Sequence, residues 1–134
     1  MSARSFRSCF LTLAILLLPA FASADAVTDW NEKALAAATQ AKQLPFTATR
    51  TMALVHTAMF DAVNSIEGRF TPYKAKVSSP SGSSSEAAAV AAAHAVLLKL
   101  YPDQKADLDA AFAASLAKVP TVLEKLRAST WEKR

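Results

Sequence analysis

Any chemistry in this 134-residue chain would have to be built around two histidines, His56 and His94. A zinc or iron site needs several His, Asp or Glu side chains converging on one point. His56 and Asp61 are five positions apart, which on a helix puts them on different faces, and His94 has no acidic residue three or four positions away. Both read as helix residues on or near an apolar face, and no metal site is expected. Ser81, His56 and Asp61 have the residue types of a Ser/His/Asp triad, but the Gly-x-Ser-x-Gly turn that exposes such a serine is absent. Glycine-rich loops that cradle phosphate are absent too. Asp103, Asp107 and Asp109 lie close together, and a helix N-terminus, whose dipole favours acidic side chains, accounts for them.

The chain's first residues have the order of an export signal. Arg4 and Arg7 precede an apolar run from Cys9 to Leu18, and Ala22-Ser23-Ala24 supplies the small residues that a signal peptidase reads. Cleavage is expected before Asp25, giving a signal peptide over 1–24 and one helical domain over 25–134, exported to the periplasm or secreted. The apolar run is shorter than the roughly 20 residues of a spanning helix, so no stable membrane anchor is expected after cleavage. Removing Arg4 and Arg7 from the 15 Lys and Arg leaves 13 against 11 Asp and Glu, a net +2. The remaining cations are scattered and not interleaved with aromatics, which argues against a nucleic-acid partner. Cys9 is the one cysteine and falls in the removed segment, so disulfides, thiolate-bound zinc and a cysteine nucleophile are excluded from the exported form.

The elements that must position these residues are helices. The chain has two glycines, abundant alanine and no strand-like alternation. The fold class expected is all-α, a partial bundle of four to five amphipathic helices. The first spans about 28–43, with Trp30, Ala34, Ala37 and Ala41 in one stripe, Leu35 and Ala38 beside it, and Pro45 as its stop. The second spans about 48–66, with Thr47 or Thr49 as cap, a stripe of Met52, Val55, Met59, Val63 and Ile66 with Phe60 adjacent, and Gly68 after its end. Residues 67–85 are rich in Ser, Pro and Gly. They read as a loop, long for a compact bundle, which predicts mobility. The third helix spans about 85–101. Ser83 and Glu86 form its capping box, and Ala87, Val90 or Ala91, His94, Leu97 and Leu98 its apolar side. The fourth spans about 103–118, with Leu108, Phe112, Leu116 and Val119 in its stripe, and a short fifth begins at Thr121.

The stretch Arg50-Thr-Met-Ala-Leu-Val-His-Thr-Ala-Met-Phe-Asp-Ala-Val-Asn-Ser-Ile66 resembles the amino-terminal helices of the vanadium-dependent haloperoxidase and type 2 phosphatidic acid phosphatase superfamily. Val27-Thr-Asp-Trp-Asn31, Phe70-Thr-Pro-Tyr73, and Ser85 through Leu100-Tyr-Pro102 resemble the neighbouring segments in the same order, so the resemblance covers about 26–120. It implies an all-helical bundle whose members hold vanadate or phosphate among Lys, Arg, His and backbone amides. With vanadate they oxidise halides using peroxide, and with phosphate they hydrolyse esters through a histidine nucleophile. The family's pocket comes from Lys-x6-Arg-Pro, then Pro-Ser-Gly-His, then Ser-Arg-x5-His.

Here Lys42 and Arg50 are one residue too far apart, with Thr51 in place of Pro, and Pro80-Ser81-Gly82 is followed by Ser83 instead of His. Thr49-Arg50 with His56 fits Arg-x5-His, but it precedes the Pro-Ser-Gly sequence, the reverse of the family's order. No catalytic, cofactor-binding or metal residue carries over, and vanadate or phosphate is implied only for the full-length family. The reading expected from the sequence is the front helical part of an exported haloperoxidase or acid phosphatase, inactive alone. Its partner would be the missing catalytic half or another helical subunit. The alternative is a small exported helical binding or assembly protein.

Overall fold

A computed structural model describes residues 25–75, 78, 80 and 82–120. The signal-peptide segment 1–24, Ser81 and the expected fifth helix from Thr121 lie outside the described residues. The described part is all-helical and contains no strand. Its elements are α1 (Ala26–Gln40), α2 (Pro45–Glu67), α3 (Ser85–Leu100), a 3-10 turn (Pro102–Gln104) and α4 (Lys105–Lys118).

Local hydrogen bonds set the ends of these helices, and they revise several boundaries. Asp25 caps α1 by accepting from the Thr28 N–H at 2.8 Å, so the helix begins two residues earlier than the apolar stripe indicates. That backbone bond also lowers the Asp25 carboxyl below its ordinary value. Pro45 does not stop α1. The helix closes at Gln40 in a Schellman turn, where the Gln43 N–H reaches the Ala38 carbonyl at 3.0 Å and the Lys42 N–H reaches Thr39 at 2.9 Å. Lys42 adopts the left-handed conformation (φ 52°) that this turn requires. Pro45 instead opens α2 at a position whose missing N–H would have no partner. Thr47 and Thr49 lie inside α2 and are not its caps. Leu44 takes the cap position, and the Thr49 hydroxyl donates back to the Pro45 carbonyl. Ser84, not Ser83, caps α3, accepting from the Ala87 N–H, while the Ser83 hydroxyl donates to the Pro80 carbonyl.

α2 and α3 form the largest interface, and α3 also touches α1 and α4, so it is the hub of the bundle. Trp30, Val55, Val90 and Leu97 are fully buried at the centre. Ala34, Ala37, Ala38, Ala89 and Ala93 fill the rest of the core, and such small side chains let helix axes approach closely. Burying apolar side chains of the Trp30 and Leu97 type contributes about 1.5–3 kcal/mol each. Tyr101 ties the end of α3 to the α1–α2 turn. Its hydroxyl donates to Gln43 Oε1 at 2.9 Å and shares a 3.0 Å bond with the Thr51 hydroxyl.

Two expectations about faces are corrected. Phe60 and Leu35 point to solvent, and Asp61 and Asn64 occupy the buried side of α2. Leu116 is exposed, so the contact of α4 with the core rests on Leu108 and the partly buried Phe112.

Candidate binding groove

A groove of about 710 Å³ runs between α2 and α3. It lies on the face next to the one that packs against the core. From α2 it is lined by Arg50, Ala53, Leu54, Thr57, Ala58, Asp61 and Ala62, and from α3 by Ala92, Val96, Lys99 and Leu100. Leu54 and Leu100 are 41% and 40% exposed, so the apolar floor is open to solvent. Because α3 runs back along α2, Arg50 and Lys99 stand at one end of the groove, while Lys74 stands near the other with Tyr73 and Ala75.

That second end is built by two polar side chains. Asp61 is 7% exposed and accepts three backbone N–H bonds: Tyr73 on Oδ1 at 2.7 Å, and Lys74 and Ala75 on Oδ2 at 2.7 and 2.8 Å. The Ala75 N–H lowers the Asp61 carboxyl most, the Lys74 and Tyr73 N–H groups add to this, and burial opposes them. Asn64 brackets Phe70, donating to its carbonyl at 2.7 Å and accepting from its N–H at 2.8 Å. The start of the 67–85 segment, expected to be mobile, is therefore pinned to α2 through residue 75. The left-handed Gly68 (φ 64°) turns the chain into this clasp. A Cβ there would meet no atom, so only the backbone conformation calls for glycine.

No protein-family model matches the chain. No curated protein or solved structure matches it either. The reading of the site therefore rests on its own geometry.

The structure separates the residues that the sequence motifs pair. Arg50 lines the α2/α3 groove, whereas His56 is exposed on another side of α2 and shares a 3.1 Å hydrogen bond with Asn31 Oδ1 on α1. Six residues of helix also put about 9 Å of axial rise between them. Asp61 does not face His56 as a triad partner, since both of its oxygens are committed to the clasp. Lys42 belongs to the α1 turn.

His94 has an acidic partner that helix spacing along α3 could not show. Asp109 on α4 meets His94 Nε2 at 2.8 Å and also pairs with Lys105. Lys105 first, and then His94, lower the Asp109 carboxyl. The His94 ring stacks on Phe112 at 4.4 Å and meets the edge of Trp30 at 6.2 Å. Trp30 Nε1 donates to the Ser115 hydroxyl, and Lys118 pairs with Asp29. The cluster joins α4 to α1 and α3, with the His94 side chain 14% exposed. Asp103 and Asp107 sit at the start of the 3-10 turn and of α4, where a helix N-terminus favours acids. Among the described residues no group of three His, Cys, Asp or Glu side chains is placed to hold a metal ion. No described helix is long and apolar enough to cross a membrane.

Proposed function

We propose that this chain is the amino-terminal helical part of an exported enzyme of the vanadium haloperoxidase and type 2 phosphatidic acid phosphatase kind, and that it serves as a packing platform without turnover of its own. The observation that carries this reading is the open groove between α2 and α3. Its floor of alanine, leucine and valine is what a helical bundle presents where further helices pack. The two residues that fit the family's Arg-x5-His pattern, Arg50 and His56, serve different surfaces, which supports a structural role for α2. A phosphate or vanadate ion needs several convergent donors, and one Arg with a distant His does not enclose it.

The test is an assay of the full chain for hydrolysis of p-nitrophenyl phosphate, and for bromide oxidation with vanadate and peroxide. The expected result is no turnover above the buffer rate. Dose-dependent turnover that His56→Ala abolishes would overturn the reading. Among enzyme-independent functions, a free-standing binding protein would use the same groove.

A further inference from the structure

The groove has a distinctive charge pattern that specifies its occupant. Arg50, Lys74 and Lys99 stand on its rim, and none of them enters an ion pair among the described residues. The one acidic side chain in the lining, Asp61, accepts three backbone N–H bonds, keeps its negative charge and offsets Lys74 at that end of the groove. The groove is therefore apolar along its floor and positive at the end where Arg50 and Lys99 stand. On α2 the lining runs from Arg50 to Ala62, about 18 Å at 1.5 Å per residue, the length of a three-turn helix. Ala53, Ala58, Ala62 and Ala92 in the floor allow another helix backbone to approach closely.

We propose that the groove receives an amphipathic helix of about three turns, with large apolar residues at i, i+3 or i+4, and i+7, and acidic residues at the end that meets Arg50 and Lys99. This rests on the platform reading above and specifies what docks there. Charge disfavours the two occupants nearest to hand. A second copy placed face to face would set against Arg50 and Lys99 either the same pair or the Lys74 and Asp61 end, neither of which is acidic overall. The chain's own segment 121–134 carries four cations (Lys125, Arg127, Lys133, Arg134) against two acids (Glu124, Glu132) and would meet the same repulsion.

The experiment measures binding of two synthetic peptides to the full chain by fluorescence anisotropy. Both peptides carry leucines at the stated spacing, one with glutamates at one end and one with lysines in their place. The glutamate peptide should bind about tenfold more tightly, and high salt should weaken it, since partly exposed charge pairs contribute modestly and are screened. Arg50→Glu with Lys99→Glu should reverse the preference. Leu54→Glu should abolish binding while the far-ultraviolet circular dichroism and melting curve stay those of the parent. Equal binding of the two peptides, a preference that survives the charge reversal, or no binding accompanied by self-association of the chain would each overturn the proposal. Phosphatase turnover with peptide binding intact would instead sink the platform reading and leave the groove's occupant standing.

Discussion

The two sides of the α2–α3 pair are made from similar residues and have opposite fates. On one side α1 and α4 lie over the pair. Trp30 and Leu97 are fully buried there, and the polar groups at its margin are paired: Trp30 with Ser115, His94 with Asp109, and Tyr101 with Thr51 and Gln43. On the other side Leu54, Val96 and Leu100 form a floor with no described residue over it, and the rim cations carry no ion pair among the described residues. Alanine-rich helices thus do not decide by composition which face is core. The covered side is the one on which a large aromatic fills the gap and cross-helix polar bonds close the edge. The bare side has the apolar residues without the polar closure, the pattern of a surface awaiting a partner.

The covered side is the one to break for a large effect. Trp30→Ala should cost about 3–5 kcal/mol, as expected for truncating a buried tryptophan, and it also removes the bond to Ser115. Thermal or urea unfolding would read this directly, and a loss below about 1 kcal/mol would mean that α1 is not locked onto α3.

A smaller and more local effect is expected at the clasp. Asp61→Asn takes away a carboxylate that accepts three N–H groups, and an amide cannot accept all of them. Amide exchange at residues 73–75 and tryptic cleavage after Lys74 should both accelerate, with the helices kept. The pH dependence has a fixed sign. The folded-state values of Asp61 and Asp109 lie below the ordinary value of about 3.9. Their contribution is therefore complete above that value and is lost as pH falls through the folded values. Stability should decline on acidification below about pH 4, and Asp61→Asn should flatten that decline. An unchanged acid slope in the variant would contradict the clasp.

Lys42→Gly should raise stability by about 0.5–1 kcal/mol, because glycine removes the left-handed strain at the α1 turn and gives part of the gain back as chain entropy. The smallest change in stability belongs to the bare side. Leu54→Glu should fall within about 0.5 kcal/mol of the parent, whereas Val55→Glu, one residue along and fully buried, should cost several kcal/mol. If the two variants unfold alike, the groove floor is core and the comparison fails.

The helical class and the positions of the helices were legible from alanine content, proline stops and apolar spacing, and Trp30, Val55, Met59, Leu97 and Leu108 were recognisable as core, with Val90 and Ala91 as alternatives of which Val90 is the buried one. Signals with two physical solutions were not. Pro45 fits after a helix or at its first turn, and only the Schellman turn through Lys42 decides between them. Ser83 with Glu86 matches the capping-box pattern, but the turn at Pro80 takes the Ser83 hydroxyl and Ser84 caps the helix. Phe60 lies beside the stripe in spacing and faces solvent, while Asp61 and Asn64 are buried because the backbone at 70–75 supplies their partners. The His94–Asp109 bond joins two helices across fifteen positions, beyond any spacing rule for one helix. The groove itself was hidden, since a helix stripe does not say which part of it a neighbour covers.

The most direct test of the account is amide hydrogen exchange of the full chain with and without the glutamate-bearing peptide. The account predicts added protection confined to 50–62, 73–75 and 92–100, with the segments around Trp30 and Asp109 unchanged. Protection centred on Trp30 and Asp109, or none at peptide concentrations that saturate the anisotropy signal, would contradict it.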